Sequence, residues 1–485
     1  MKMKLCASLL LLTFFIGFAQ KNASNDNCSI EFKSDDFKNN KYYLAGNYGK
    51  YQTLLDSVIA TKEGKVNFKK NEKYVEGIYM LVDKDKKIVT EFLMDEKQQF
   101  IILPDLLDPK NTIIENSPLN SNFQAFNLFI KSNLDKIATY KTSLAEQKTK
   151  KDSLTVKNNI VALQTEITNY KNSYIEKNKN TLSLLFLLTR PIDDFSNLPA
   201  ATKLATKKDS IEFLKTNYFK DIDLSDERII RTPFLENKMD NYFNTFVVQT
   251  PEEVTKEVFA ILENCGNKNG DMFKYLSLYF VNKYVDPKIM GMDRVFLNIN
   301  EKYFKNKEYD WLKLEQKEFF KYQEKCLKHI QVGDKATNLF MTTLDEKRID
   351  LYDIQAPYIV VAFWDPTCGH CAKEIPKMIA IYNKDWKAKG IKVFAINNNP
   401  KENVKWKEFI EKEKLEEWIN VYPPSVITGN YTKEEVDFQT LYNVVQTPVF
   451  FLLDKDKTII AKKIIFENYI DLIKDIEKKQ KAEGK

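Results

Sequence analysis

The segment Cys368-Gly369-His370-Cys371 places two thiols three residues apart where an apolar strand runs into a helix. The preceding run, Ile359 to Trp364, is β-branched and aromatic, which indicates a buried parallel strand. Asp365-Pro366-Thr367 leads out of that strand into a helix predicted over Gly369 to Lys389. This order of residues predicts a strand, a turn and a helix, with the dithiol at the start of the helix.

The start of a helix stabilises a thiolate, because unpaired backbone N–H groups and the positive end of the helix dipole lie there. We therefore expect Cys368 to be the nucleophile with a depressed pKa, and Cys371 to resolve or re-form the disulfide. The alternative is half of a zinc site, which needs two further ligands. The chain has only two histidines and no second C-x-x-C pair, so no metal site is predicted.

The first 19 residues have the pattern of a signal peptide. Lys2 and Lys4 precede the apolar run Leu5 to Phe18, and Gly17 and Ala19 are the small residues before a cleavage site. The apolar run is short for a membrane span, so we expect a protein of the periplasm or cell envelope that does not span the membrane after signal removal.

The charge pattern argues against a nucleic-acid partner. Removal of residues 1–19 lowers the formal charge from +6 to +4. Lysines alternate with acids, as in Glu411 to Lys414 and Asp454 to Lys457, so no continuous basic stripe is present.

Three cysteines remain besides the predicted signal peptide and the dithiol, namely Cys28, Cys265 and Cys326. In an oxidising compartment they permit one structural bridge, for example Cys265 with Cys326, and one free thiol. The pairing is left open by the sequence.

Composition and periodicity predict a multidomain α+β protein with three domains: an N-terminal antiparallel β-sandwich over residues 28–112, a central α-helical region over 113–330 and an α/β domain over 332–485. The strands predicted in the first domain are Ser29 to Phe32, Tyr42 to Ala45, Tyr51 to Ala60, Val66 to Lys69, Gly77 to Val82, Ile88 to Leu93 and Gln99 to Leu103.

The central region begins with apolar residues at helical spacing from Phe123 to Ile130, followed by a polar stretch to Asn178 and an apolar run, Leu182 to Leu188, that Pro191 should end. Later helices are predicted at Ser210 to Asn217, Pro251 to Glu263, Met272 to Val285, Met290 to Asn300 and Asp310 to Ile330.

In the last domain, strands alternate with helices, which predicts a mixed sheet covered on both faces. The predicted strands are Leu339 to Thr343, Arg348 to Tyr352, Ile359 to Trp364, Lys392 to Asn397, Trp418 to Tyr422, Pro448 to Asp454 and Thr458 to Lys463. Besides the helix that carries the dithiol, helices are predicted at Val404 to Leu415, Lys433 to Tyr442 and Tyr469 to Lys479.

These last ~150 residues resemble the thioredoxin superfamily, specifically the exported TlpA/ResA-like thiol–disulfide oxidoreductases. The dithiol follows the first central strand, and Pro376 lies where the family kinks its active-site helix. Thr447-Pro448, before the strand Val449 to Leu453, matches the family's cis-proline. The extra strand and helix around residues 418–442 resemble the insertion of the TlpA/ResA group.

The resemblance implies a thioredoxin-like domain without a bound cofactor. It implies exchange with client proteins that carry thiols or disulfides, and an unidentified redox partner. The residues to which it assigns roles are Cys368 and Cys371 in catalysis, Gly369 and His370 in redox tuning, and Trp364, Thr367, Thr447 and Pro448 in the substrate groove.

The chain departs from the family in ways that leave the direction of electron transfer open. Ala362 stands where thioredoxins carry a buried Asp, which leaves Glu374 or Asp365 as weak candidates to assist proton transfer. Thr367 replaces the usual Trp before the nucleophile, and Gly369-His370 is the dipeptide of protein disulfide isomerases.

The front of the chain resembles a β-rich domain of unknown function that often precedes exported thioredoxin-like domains. The residues that carry this likeness are Asp56-Ser57-Val58, Gly64-Lys65-Val66 and Asn116 to Asn120. They imply an architecture and no chemistry.

Two other functions remain open. A peroxiredoxin on the same fold would use a P-x-x-x-T-x-x-C site, whereas here Thr367 directly precedes Cys368 and no Arg lies nearby. Alternatively, residues 28–330 are the functional part and bind an envelope protein or a glycan, with the dithiol as an accessory.

Overall fold

The computed structural model describes residues 27–146, 150–178, 182, 184–188, 206–424 and 437–482. The predicted signal peptide, Pro191 and the first residues of the helix predicted at Lys433 to Tyr442 lie outside the described residues. The described residues pack into two compact units, one within residues 1–193 and 228–238 and the other within residues 194–227 and 239–485. The three predicted domain ranges stay a prediction.

The first unit contains two four-stranded sheets, ordered β4-β1-β7-β8 and β3-β2-β5-β6. The strands are β1 (Cys28–Lys33), β2 (Lys41–Tyr48), β3 (Tyr51–Ile59), β4 (Lys65–Lys70), β5 (Gly77–Val82), β6 (Ile88–Met94), β7 (Gln99–Leu103) and β8 (Ile113–Glu115). All pairs are antiparallel except β1 with β7. The parallel pair is possible because five strands intervene between β1 and β7, which provides the long crossover that parallel strands need.

The core of this unit is aromatic, because alternate residues of the strands point to the same side. The Phe32 ring lies 5.3 Å from the Phe92 ring at an interplanar angle of 61°. Phe68 and Phe100 belong to the same buried cluster. These contacts between the two sheets make the β-rich region a sandwich, as predicted, although the parallel pair β1–β7 departs from the antiparallel pairing that the sequence predicts.

Helices α1 (Pro118–Glu146), α2 (Lys150–Lys177) and α3 (Leu184–Leu187) complete the first unit. Asn120 joins α1 to β6, since its Oδ1 accepts from the Leu93 N–H at 2.6 Å and its Nδ2 donates to the Leu93 oxygen at 2.9 Å. Phe123, Phe126 and Tyr174 pack against Leu93 in a shared cluster. The helices thus supply partners for strand β6, which lies at the edge of its sheet.

The central helices are α4 (Lys207–Asn217), α5 (Leu235–Phe246), α6 (Pro251–Glu263), α7 (Asp271–Val285), α8 (Asp293–Ile299) and α9 (Leu314–Leu327). α6 begins where the sequence predicts, because Pro251 suits the first turn and the Thr250 hydroxyl accepts from the Glu253 N–H at 3.3 Å.

The C-terminal sheet has seven strands in the order β10-β9-β13-β12-β11-β14-β15, with β11, β12 and β13 parallel to one another. Its strands are β9 (Phe340–Thr343), β10 (Arg348–Asp350), β11 (Tyr358–Trp364), β12 (Lys392–Asn397), β13 (Ile419–Tyr422), β14 (Val449–Asp454) and β15 (Ile459–Lys462). Its helices are α10 (Cys371–Ile381), α11 (Asn403–Glu413), α12 (Phe438–Leu441) and α13 (Tyr469–Ala482).

Both faces of the central strand β11 are covered. Trp364 packs in the cluster that contains Ile375 of α10 and Tyr469 of α13. On the other face, the Phe363 ring is stacked on Phe438 of α12 with centroids 5.6 Å apart. The predicted mixed sheet is therefore confirmed.

A buried ion pair joins the edge strand β15 to helix α8 within the second unit. Lys462 Nζ lies 2.5 Å from Asp293 Oδ2, and the two side chains are only 3% and 5% exposed. Gln331 Nε2 donates to the same oxygen at 3.0 Å. Burial lowers the pKa of Lys462, and the attraction of Asp293 opposes that effect.

We predict that Lys462→Met destabilises the second unit by about 3–5 kcal/mol, because it leaves the Asp293 carboxylate buried without its cation. The free energy of unfolding can be followed by tryptophan fluorescence, since all five tryptophans lie in residues 239–485. The control is Asp293→Leu combined with Lys462→Met, which removes both charges and should cost much less. A loss below about 1 kcal/mol in the single variant would contradict the prediction.

Candidate functional site

The dithiol lies in the connection between β11 and α10. The carbonyl of Trp364, the last residue of β11, accepts from the Asn398 N–H at 2.7 Å. The Cys368 N–H then donates to the Asp365 oxygen at 3.1 Å, which closes a tight turn. α10 starts at Cys371, so Cys368 lies just before the helix and Cys371 in its first turn.

The two sulfur atoms have different surroundings. Cys368 is partly exposed and its thiol donates to the Thr447 oxygen at 3.3 Å. Cys371 is 0% exposed, and its sulfur accepts from the Asp365 N–H at 3.4 Å. Only Cys368 can therefore be reached directly by a large reactant.

The pKa values of the two thiols also differ. Burial alone would raise the pKa of Cys368, but hydrogen bonds with the Cys371 backbone, the Thr447 side chain, the Cys371 thiol and the His370 backbone together hold it below its ordinary value of 9.0. Burial raises the pKa of Cys371 to about 12. The thiolate is thus favoured at Cys368, as helix-start donors predict.

The bond between Thr447 and Pro448 is cis, as the family resemblance implied. It lies directly before β14, and the Thr447 carbonyl faces the Cys368 sulfur. Both residues are half-buried. The loop therefore forms one wall beside the exposed thiol.

The other residues predicted near the dithiol lie as follows. Thr367, Gly369 and His370 are exposed at the turn. The space where a Cβ on Gly369 would point is open. Pro376 lies inside α10.

Trp364 requires a correction, because its side chain is not part of a surface groove. It is 0% exposed, and its ring centroid lies 5.0 Å from that of Phe409 on α11. Strand alternation explains this position, since Val360, Ala362 and Trp364 point to the same side and pack in one cluster.

The carboxylates near the turn differ in their contacts. Glu374 forms an ion pair with Lys377 at 2.7 Å on the exposed side of α10. Asp365 holds the turn itself through Thr367 and Asn399, a role that sequence reasoning missed. The Asp-Pro-Thr sequence carries the signal for it, because an Asp two residues before Thr favours an Asx turn.

The example bridge between Cys265 and Cys326 is not formed. The Cys265 thiol donates to the Ile261 oxygen at 3.3 Å after the end of α6, and Cys326 lies buried in α9 as a separate thiol. Burial raises the pKa of Cys265 to about 12 and also raises that of Cys326. Cys28 is buried on β1 in the sandwich core.

Two family models match adjacent parts of the chain, which meet near residue 330. Residues 332–462 match the AhpC/TSA family, and residues 146–329 match a domain of unknown function, DUF5106. A domain of unknown function therefore precedes the dithiol domain, as expected, although the match covers the helical region instead of the β-rich residues.

The relatives are thiol–disulfide oxidoreductases. The chain is 30% identical over 146 residues to thiol-disulfide oxidoreductase ResA of Bacillus cereus, covering 30% of this chain and 75% of that protein. It is 29% identical over 146 residues to ResA of Bacillus anthracis, with the same coverage of 30% and 75%. A crystal structure of a domain of a possible thiol-disulfide isomerase from Cytophaga hutchinsonii is 39% identical, with a TM-score of 0.27, covering 31% of this chain and 96% of that one.

We predict that iodoacetamide alkylates Cys368 with a half-maximal rate below pH 9.0, because only the thiolate reacts and its pKa is lowered. Cys371 should stay unmodified in the same pH range, since burial raises its pKa to about 12. Mass spectrometry of the peptides measures both sites, with Cys265 as the control for a buried thiol. Faster labelling of Cys371 than of Cys368 would contradict the prediction.

Proposed function

We propose, because this chain belongs to the ResA-like thiol–disulfide oxidoreductases, that it exchanges disulfides with exported client proteins through Cys368 and Cys371. The observation that carries the proposal is the pairing of a partly exposed thiol of lowered pKa with a buried thiol. This asymmetry is what a two-step exchange requires, because the first thiol must meet the client and the second must not.

When the dithiol is reduced, the Cys368 thiolate attacks one sulfur of a client disulfide and the other client sulfur leaves as a thiolate. The Cys371 thiolate then attacks the Cys368 sulfur, and the second client thiolate leaves. Two electrons pass from the dithiol to the client, and a dithiol of the redox partner must return them. A client dithiol would drive the same steps in reverse.

The groove for the client is proposed at Thr367, Thr447 and Pro448. The Thr447 carbonyl already lies 3.3 Å from the Cys368 sulfur, so an extended client segment that pairs with this backbone brings its own sulfur close. The exposed Thr367, smaller than the Trp of the family pattern, leaves room at the other side of the thiol.

Export to the periplasm or cell envelope is part of the proposal and rests on the pattern of residues 1–19. Among the described residues, no helix is both long and apolar enough to cross a membrane.

We also propose a domain limit near residue 330, since one family match ends at 329 and the other begins at 332. Binding of an envelope protein or a glycan by residues 28–330 remains a prediction.

A peroxidase is the second candidate, because residues 332–462 match the AhpC/TSA family. The only arginine in those residues is Arg348, which pairs with Asp350 at 3.1 Å on the edge strand β10. Residues 332–462 therefore place no guanidinium beside Cys368 to stabilise a peroxide anion. Hydrogen peroxide consumption with dithiothreitol as reductant distinguishes the two functions, and we expect none above the rate of a Cys368→Ser variant.

The two cysteines should behave differently in covalent trapping. Cys371→Ser should accumulate reducible adducts with exported proteins, because the mixed disulfide at Cys368 can no longer be resolved. Cys368→Ser should accumulate almost none. Both variants are compared on non-reducing gels, in a chain whose Cys28, Cys265 and Cys326 are Ser. Adducts that persist in Cys368→Ser would show that the nucleophile is misassigned.

His370 should set the potential of the dithiol. Gly369-His370 is the dipeptide of protein disulfide isomerases, so we predict a potential above about −270 mV and near −180 mV. His370→Pro should lower it by some tens of millivolts, where about 30 mV corresponds to 1.4 kcal/mol. Equilibration with glutathione measures it, and Lys455→Gln at the opposite end of β14 is the control for a surface substitution away from the dithiol. An unchanged potential in His370→Pro would remove His370 from the mechanism.

A further inference from the structure

The side chain of Asp365 holds the turn between β11 and α10, in addition to the backbone hydrogen bond from Cys368 to Asp365. Its Oδ1 accepts from both the backbone N–H and the hydroxyl of Thr367, each at 2.7 Å. Its Oδ2 accepts from Asn399 Nδ2 at 3.3 Å. The carboxylate therefore connects Asp365 to Thr367 within the turn and connects the turn to the segment that follows β12.

The segment after β12 is itself well anchored. The Asn399 N–H donates to Asn397 Oδ1 at 2.9 Å, and Asn397 Nδ2 donates to Asn403 Oδ1 of α11 at 2.9 Å. Asn397 is 0% exposed. The contact between Asn399 and Asp365 thus fixes the turn against a rigid part of the domain.

The backbone of Asp365 contacts both cysteines, but in different ways. Its N–H donates to the sulfur of Cys371 at 3.4 Å. Its carbonyl accepts from the backbone N–H of Cys368 at 3.1 Å and does not bind the Cys368 sulfur. The backbone donors that lower the pKa of Cys368 come from Cys371 and His370, at the start of α10.

The two thiols share a hydrogen bond with the Thr447 side chain but differ in their backbone donors. The backbone donors of Cys368 lie at the helix start, whereas the backbone donor to Cys371, whose pKa burial raises to about 12, is the Asp365 N–H. A rotation of the peptide that carries the Asp365 N–H would withdraw this donor from Cys371, whereas the backbone donors to Cys368 do not include Asp365.

We propose that Asp365 is a positioning residue for the second step of the exchange, in which its carboxylate fixes the turn so that its own N–H donates to the sulfur of Cys371 as that sulfur attacks Cys368. This inference rests on the proposed function of the dithiol. The carboxylate acts as a hydrogen-bond acceptor, and its charge is not required.

The test uses the full reduced chain and 5,5′-dithiobis(2-nitrobenzoate). Cys368 attacks the reagent and releases one thionitrobenzoate, which leaves a mixed disulfide at Cys368. Cys371 then attacks the Cys368 sulfur and releases a second thionitrobenzoate, so the dithiol becomes a disulfide and the reagent gains two electrons. Stopped-flow absorbance separates the two releases. The Cys371→Ser variant shows only the first release, because it has no second thiol to attack the mixed disulfide.

We expect Asp365→Ala to slow the second release about tenfold, equivalent to about 1.4 kcal/mol, while the first release changes less than about twofold. The pH at which the second release is half-maximal should rise. Asp365→Asn keeps an oxygen that can accept from Thr367, so its second release should return to within about threefold of the unaltered chain. Thr367→Val, which lacks only the hydroxyl donor, should slow the second release by a smaller factor.

Equal slowing of both releases in Asp365→Ala, no slowing of either, or failure of Asp365→Asn to restore the second release would each overturn the inference. Melting curves show whether the variants are folded. If Asp365→Ala does not fold, the rate of the second release in Thr367→Val tests the inference instead. Absence of any release by Cys368 in the unaltered chain would instead contradict the proposed function, and the inference with it.

Discussion

Strand β11 is hydrogen-bonded to β12 on one side and to β14 on the other, and the register of these two ladders places every group of the site. Trp364 is paired with Asn397 of β12, so the residues that follow each strand, Asp365 and Asn399, meet at the same edge of the sheet. Phe363 is paired with Val449 of β14, which brings Thr447 and Pro448 beside the turn. A slip of either ladder would separate the cysteines from their partners.

The chemistry depends on how unevenly the site is exposed to water. Cys371 points into the cluster of Ile375 and Met378 on α10, where a charged sulfur is unfavourable. Cys368 lies at the rim, where the backbone donors of the helix start outweigh its partial burial. The protein therefore favours the thiolate at Cys368. When Cys371 ionises, one backbone donor, the Asp365 N–H, is available to its sulfur.

Much of the fold follows from the sequence because local signals agree with tertiary packing. The bounds of β5, β7, β12 and α6 are as predicted, since turn residues or an N-terminal proline limit each segment. β8 was missed because three residues carry too short a pattern to detect. The prediction also leaves out α5, in which Met239, Tyr242, Phe243 and Phe246 are buried at helical spacing.

The errors near the site have one physical cause, which is that a sequence shows spacing but not direction. The family resemblance assigns Trp364 to the groove, yet strand alternation turns it into the core. The sequence offers Asp365 as a weak candidate for proton transfer, whereas its side-chain contacts are with Thr367 and Asn399. The contact with Asn399 crosses from one strand end to the next, so no local pattern reports it.

The most direct test of the account is to identify the cysteine that carries the client in the first covalent intermediate. The reduced chain is mixed with a peptide that contains a disulfide, quenched with acid at short times and digested, and the adduct is located by mass spectrometry. We predict an adduct on Cys368 that appears first and decays as the disulfide between Cys368 and Cys371 forms. A first adduct on Cys371, or on the buried Cys265 or Cys326, would contradict it.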